Sequence, residues 1–305
     1  MVKIVITQDI GLDDEDILRL RELGEVTAYD DLAKTPDDWL DRCKGADIIC
    51  TGKFGLKTEK LYELQDVFLA LPFVGVGFLD RERLKKNNIT VSYCPGCNKD
   101  AVSEWIIGMM INILRDLPAM INTSSLETGK VPERTLGLTG KRVTILGKGN
   151  IGLRVGEICK CLGMAVYYFT RNDNLRDSVK DSDIIINALS YNDETKNMLD
   201  VQFFNELKKG SYFISVTSSG IFDTDAMIRA LESGILANAA IDAGSIQVGD
   251  VDDPYYQKLL NHPRVMVTPH IAYNSDTTDK VSSRMLIDNI KAWICGEPKN
   301  LVDLS

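Results

Sequence analysis

Val143-Thr-Ile-Leu-Gly-Lys-Gly-Asn-Ile-Gly-Leu-Arg154 is a short apolar run that breaks into Gly147, Gly149 and Gly152 and then resumes as a helix. It reads as strand, tight turn and helix start. Gly147 permits the turn, Gly149 lets backbone approach a pyrophosphate, and Gly152 lets the helix pack close to the strand. The helix N-terminus then turns free N–H groups toward the phosphates. A bare G-x-G-x-x-G is a weak signal, and a glycine-rich turn without a ligand is the bland reading. Here the motif follows a strand, opens an amphipathic helix carrying Val155, Ile158 and Leu162, and precedes a second strand at 164–169. That context favours dinucleotide binding.

A chain of 305 residues suits two domains of ordinary size, each with its own core. The net charge of -9 and the lack of a basic run argue against a nucleic-acid or anionic-membrane surface and for a small-molecule substrate. The longest apolar run, 105–114, is about half of the ~20 residues that a membrane span needs. The expectation is a soluble, cytoplasmic protein. Seven cysteines, an odd number scattered along a long chain, fit a reduced set better than a disulfide framework. Cys94-Pro-Gly-Cys97 has redox or metal spacing, but no second pair or neighbouring histidine supports a metal, and a tight turn is preferred. Cys159 and Cys161 read as small residues of a helix beside buried positions.

The first hundred residues alternate strand and helix, with strands expected at 2–6, 26–29, 47–50, 73–76 and 89–92 and helices at 13–23, 37–43, 58–64 and 80–87. An apolar helix, 101–114, must be buried against the second domain or another subunit. Residues 116–118 and a polar stretch, 122–134, follow it. From Lys141 the alternation returns, with strands at 142–146, 165–169, 184–188, 212–216, 237–241 and 265–267, which suits a whole dinucleotide fold. A final helix, 280–294, stops at Gly296 and Pro298. The fold class is therefore α/β, with two doubly wound parallel sheets in two domains.

Ligands of such sheets bind beyond the carboxyl ends of the strands, so residues there carry the functional information. For the cofactor these are Gly147, Gly149, Asn150, Ile151, Gly152, Thr170, Arg171, Leu189, Ser190, Val216, Thr217, Ser218 and Asp242, with Thr195 in the loop after Ser190. Of the two histidines, His262 precedes Pro263 in a loop and reads as a surface or packing residue. His270 stands just past a strand end, and histidine is the side chain that exchanges protons near neutral pH.

With these residues in place, the chain resembles the D-isomer-specific 2-hydroxyacid dehydrogenases over nearly its whole length. The resemblance rests on Thr139-Gly-Lys141, Gly147-Lys-Gly-Asn-Ile-Gly152, Gly220-Ile-Phe-Asp223, Ala240-Ile-Asp242 and above all Thr268-Pro-His-Ile-Ala272. Thr51-Gly-Lys53 and Tyr273 resemble most the glycerate dehydrogenase and hydroxypyruvate reductase branch. The resemblance implies two Rossmann-like domains with a cleft between them, a cofactor domain of residues 98–274 and an outer, substrate domain of 1–97 and 275–305. It also implies a homodimer pairing through the cofactor domain, and His270 as the catalytic acid/base.

Three elements depart from that family. The arginine that grips substrate carboxylate and carbonyl is Ser218 here, and the glutamate that orients the histidine is Ser245. The glycine-rich substrate loop reads as shortened, passing from 73–76 directly to Gly77-Phe-Leu-Asp80. Lys53, in a strand-end loop that the resemblance turns toward the substrate, is the nearest stand-in for the arginine; an exposed lysine is the plain alternative. Asp250, Asp252 or Asp253 could steady His270 in the glutamate's place.

Two function classes follow. One is an NAD(P)-dependent oxidoreductase moving hydride between nicotinamide and a carbonyl or hydroxyl substrate. The other is a dinucleotide-binding sensor or partner protein with lost chemistry, and a substrate lacking a carboxylate is a third possibility. NADP(H) is expected over NAD(H), because Tyr168-Phe-Thr-Arg171 ends the second strand without the acid that accepts from ribose hydroxyls. Thr170 and Arg171 can instead bind a 2′-phosphate, unless Arg171 merely faces solvent.

Overall fold

A computed structural model describes residues 1–117 and 135–304. Pro118 and the polar stretch 122–134 lie outside the described residues. The chain divides into two compact units, Met1–Asn98 with Ser275–Ser305, and Lys99–Asn274.

The first unit is a parallel sheet of β1 (Lys3–Ile6), β2 (Glu25–Ala28), β3 (Ile48–Cys50), β4 (Phe68–Ala70) and β5 (Thr90–Ser92), in the order β2-β1-β3-β4-β5. Its helices are α1 (Asp14–Leu23), α2 (Pro36–Cys43), α3 (Lys53–Leu56) and α4 (Arg81–Lys86). Asp13, Thr35 and Asp80 cap α1, α2 and α4 by accepting from backbone N–H groups of the first turn, and Pro36 presets the start of α2. The expected helix at 58–64 is one 3-10 turn, Glu59–Glu63.

The fourth strand is a correction. Residues 73–76 were expected to form it, but Phe68–Ala70 does, fully buried between β3 and β5. Pro72 has no N–H to give to a ladder, so the pairing ends before Phe73. Gly75 and Gly77 therefore lie in the loop after β4, which runs from Leu71 to Asp80. Cys94-Pro-Gly-Cys97 is a tight turn: the Cys97 N–H donates to the Cys94 carbonyl at 3.2 Å, with Gly96 at φ +74°.

The second unit opens with α5 (Lys99–Leu114) and continues as β6 (Arg142–Leu146), α6 (Asn150–Cys161), β7 (Ala165–Phe169), α7 (Leu175–Val179), β8 (Ile184–Asn187), α8 (Val201–Asn205) and β9 (Ser211–Ser215). It closes with α9 (Thr224–Glu232), β10 (Leu236–Asp242), α10 (Pro254–Leu260) and β11 (Val265–Thr268). The sheet is wholly parallel, ordered β11-β10-β9-β8-β6-β7. Strand succession reverses between β6 and β8, which makes their carboxyl ends the switch point where such sheets bind ligands.

The apolar helix is buried along one face on the sheet of the second unit, the first of the two partners expected for it. Val102, Ile106, Met110, Ile113 and Leu114 of α5 pack with Val143, Ile145, Ile184, Ile214 and Ala240 of its own sheet. Each such side chain contributes roughly 1.5–3 kcal/mol of burial. Arg154 of α6 fixes the helix pair through Asp100 at 2.7 Å. The last helix, α11 (Asp276–Ile294), belongs to the first unit, where Leu286, Ile287 and Ile290 join Ile4, Ile6 and Leu20, and Trp293 stacks on Phe68 at 4.9 Å between centroids. Among the described residues no helix is long and apolar enough to cross a membrane.

Candidate functional site

The glycine turn joins β6 to α6 at the switch point. Gly147 has φ +99°, and a Cβ there would stand 2.9 Å from the carbonyl oxygen of Ala188, just past β8. Gly152 is tighter still: a Cβ would meet the Gly147 carbonyl oxygen at 2.1 Å. Gly149 differs, because nothing lies within 4 Å of a Cβ built on it, and it heads α6 without a side-chain cap. Closely packed backbone therefore surrounds one open position, with uncapped N–H groups of Asn150, Ile151 and Gly152 beside it. These residues fit a dinucleotide pyrophosphate. Gly156, unremarked in the sequence, lets α6 lie against Tyr168, whose hydroxyl would be 1.9 Å from a Cβ.

At the end of β7 the structure adds an acid that the sequence pattern did not place there. Asp173 Oδ2 accepts from Thr170 N at 2.8 Å and from Thr170 Oγ1 at 2.7 Å. Those hydroxyl and backbone hydrogen bonds hold its carboxyl below the usual carboxylate range. Arg171 beside it is exposed.

Past β8, Leu189 lies beside the glycine turn, its Cα 3.4 Å from a Cβ built on Gly147, and Ser190 follows it. Thr195 is buried; its hydroxyl donates to the Ser190 carbonyl at 2.7 Å and accepts from Asn192 N at 2.9 Å, which closes the loop upon itself. Asn187, missed in the sequence although it ends the all-apolar run Ile184-Ile-Ile, is fully buried and gives its amide to Thr217 Oγ1 at 2.7 Å and Ser215 Oγ at 3.2 Å. It ties the ends of β8 and β9 together, leaving Val216 and Thr217 half-buried at the rim.

Ser218 and Ser245, 27 residues apart, touch: their hydroxyl oxygens lie 3.2 Å from each other. Ser218 Oγ also accepts from Gly220 N at 3.2 Å, and Ser245 Oγ accepts from Ser219 N at 2.5 Å. The two positions where the resemblance calls for opposite charges are thus one neutral pair.

Asp242 ends β10 and is 3% exposed. Its carboxylate accepts from Thr268 Oγ1 at 2.6 Å, Ile271 N at 2.9 Å and Ala272 N at 3.0 Å, clamping the segment that carries His270. His270 has φ +56°, uncommon for a residue with a Cβ though histidine is among those that tolerate it. Nδ1 lies 3.2 Å from the Ile246 carbonyl, and the ring meets Tyr273 edge-on at 6.0 Å. A carbonyl only accepts, so this contact places the proton on Nδ1 and leaves Nε2 with its lone pair.

The acids expected to steady His270 do not. Asp253 accepts from Tyr255 N at 2.8 Å and caps α10, and Asp250 accepts from Asp252 N at 3.3 Å. A loop of backbone turns returns a main-chain carbonyl to the ring instead, which no residue pattern advertises. In the first unit, Lys53 holds its ammonium 5.3 Å from the centre of the Phe73 ring. Desolvation and the nearby Lys57 lower its pKa. Among the described residues no cluster of three or more histidine, cysteine or acidic side chains could hold a metal.

Residues 107–272 match the sequence pattern of the D-isomer specific 2-hydroxyacid dehydrogenase NAD binding domain. The chain is 25% identical over 285 residues to a glycerate dehydrogenase of Methylorubrum extorquens, covering 88% of this chain and 89% of that one. It is also 25% identical over 279 residues to a D-lactate dehydrogenase of Staphylococcus aureus, covering 83% and 84%. Among solved structures, an acyclic imino acid reductase in complex with NADPH and D-Arg superposes with a TM-score of 0.86 at 21% identity, over 99% of this chain and 100% of that one. A D-2-hydroxyisocaproate dehydrogenase gives 0.82 at 21% identity, over 99% of both. The two structural likenesses speak to the fold alone.

Proposed function

The chain belongs to the D-isomer specific 2-hydroxyacid dehydrogenase family and is an NAD(P)-linked oxidoreductase of that type, and from this premise we propose the parts its residues play. Gly147, Gly149, Asn150, Ile151 and Gly152 hold the pyrophosphate, while Leu189, Ser190, Val216 and Thr217 border the rest of the nucleotide. When bound, the nicotinamide gives or takes hydride at C4. The remainder falls to this chain: His270 exchanges the proton, and Asp242 holds the strained turn that presents it. The observation that carries this reading is the His270 geometry, an imidazole with Nδ1 anchored on Ile246 O and Nε2 left as the reactive nitrogen. That placement favours an oxidoreductase over a binding protein without chemistry.

We further propose NADP(H) as the preferred cofactor. Arg171 is exposed at the end of β7. It is positioned in sequence to pair with a 2′-phosphate in charge-assisted contacts. The NADPH found with the imino acid reductase neighbour accords with this choice. Asp173 opposes it by charge, and its carboxylate takes up the Thr170 hydroxyl, so the preference rests on Arg171. In a fluorescence titration Arg171→Ala weakens NADPH about 10- to 100-fold, the range of a charge-assisted hydrogen bond, and leaves NADH unchanged. Asp173→Asn shifts the preference further toward NADPH. Tighter binding of NADH by the natural protein would reverse the assignment.

A homodimer is proposed through the outer face of α5, where Ile111 is exposed and Trp105, Ile107 and Met109 are half-buried. Sedimentation equilibrium at micromolar concentration should give twice the chain mass, and a monomer mass refutes the pairing. Seven free cysteines, five of them buried, accord with a cytoplasmic location.

A further inference from the structure

We propose that the electrophile reduced at this site is a protonated carbon–nitrogen double bond, the iminium formed from a carbonyl compound and an amine, in place of a 2-oxo acid carbonyl. The proposal rests on the oxidoreductase reading above and names its substrate class.

Hydride addition to a carbonyl creates an alkoxide, which needs a positive or strongly donating group at the oxygen. Segments 215–221, 242–246 and 268–274 contain no lysine or arginine. Ser218, at the position of the arginine, is neutral, and its hydroxyl already accepts from Gly220 N and faces Ser245. Hydride addition to an iminium removes charge at the reacting centre, so it asks for no such cation. A guanidinium at Ser218 would oppose an iminium by like charge, and the neutral hydroxyl pair does not.

The histidine points the same way. Reducing a carbonyl requires Nε2 to carry a proton to the oxygen, and with Nδ1–H held on Ile246 O that means a full imidazolium. A carboxylate partner would stabilise that cation. A peptide carbonyl offers much less, and Ser245, at the glutamate's position, is turned to Ser218 and Ser219. The neutral Nδ1–H tautomer instead presents a lone pair at Nε2, which accepts from the N–H of an iminium and orients it.

The balance is complete without a proton from the protein. The C4–H bond of the reduced nicotinamide breaks, and a C–H bond forms at the iminium carbon. The π pair of the double bond moves onto nitrogen, the iminium becomes a neutral amine, and the nicotinamide is oxidised by two electrons. In reverse the amine must first lose its ammonium proton, which Nε2 takes.

The test uses the full-length protein and begins with NADPH titration; failure to bind nucleotide would refute the oxidoreductase reading itself. NADPH oxidation is then followed with glyoxylate or pyruvate alone, with the same acids plus methylamine, and with a preformed cyclic imine. Turnover should rise at least ~10²-fold with methylamine, the scale of one missing oxyanion donor, and the cyclic imine should be reduced without added amine. Calorimetry in the presence of NADP⁺ supplies a readout independent of turnover: N-methylalanine binds and oxamate does not, and Ser218→Arg reverses that order, with its thermal melt confirming a folded variant. Equal turnover of the oxo acids with and without amine overturns the proposal. So does nucleotide binding accompanied by neither imine reduction nor amine binding.

Discussion

Replacing His270 with asparagine lowers turnover in the oxidative direction by roughly 10²–10⁴-fold, the usual contribution of a positioned general base, and leaves nucleotide affinity unchanged. In that direction a proton must leave the substrate heteroatom before hydride can depart, whether the heteroatom is oxygen or nitrogen. His270 Nε2 is the lone pair available for it, since Nδ1 is on the Ile246 carbonyl. Asparagine is the informative replacement because it tolerates the left-handed φ of +56° and retains an N–H donor, but cannot take up a proton near neutral pH. A companion, Asp242→Asn, separates positioning from proton transfer. The carboxylate accepts three hydrogen bonds from Thr268, Ile271 and Ala272, and its loss should lower the melting temperature as well as the rate. A His270→Asn enzyme within a factor of a few of the natural rate would remove His270 from the chemistry.

The parts of this site legible in the sequence are those signalled by residue type. The six strands of the second unit show as largely apolar runs, most of them ended by a glycine or a polar residue, and the glycine turn announces itself by spacing. His270 stands out because the chain has only two histidines. The other features are tertiary. The Ile246 carbonyl that anchors the ring is backbone and has no signature. Asp173 reaches the end of β7 from three residues beyond Thr170, where a rule about residues at the strand end itself passes over it. Ser218 and Ser245 draw notice only beside a family pattern, and nothing in their spacing says that they touch. The misplaced β4 had a local cause: Phe73-Val-Gly-Val76 looks as strand-like as Phe68-Leu-Ala70, and only Pro72 and the burial of the earlier run decide between them.

The contact between the two serines sets the second expectation: Ser218→Arg combined with Ser245→Glu raises kcat/KM for glyoxylate or hydroxypyruvate by about 10²–10³-fold over a weak natural activity. Arginine supplies the bidentate grip on a carboxylate and the charge at the developing oxyanion that a short neutral hydroxyl lacks. Glutamate supplies the carboxylate that stabilises an imidazolium at His270. Arginine alone should recover binding of the oxo acid without its full turnover, and glutamate alone should recover neither. With Ser218 Oγ and Ser245 Oγ 3.2 Å apart, a lone arginine faces a hydroxyl instead of a counter-charge, and a lone glutamate adds an unpaired charge beside the neutral rim. Residues in such contact couple by roughly 0.5–3 kcal/mol, so a double-mutant cycle on kcat/KM should close only with a clear interaction energy. Arginine also removes the hydroxyl that caps Ser219–Ile221 by accepting from Gly220 N, a cost of about 0.5–2 kcal/mol visible as a lower melting temperature. Additive single variants would mean that the two positions act separately despite their contact. If the natural protein already reduces glyoxylate at an ordinary enzymatic rate, of order 1–10³ per second, a group outside this pair does the arginine's work and the neutral serines do not limit the reaction.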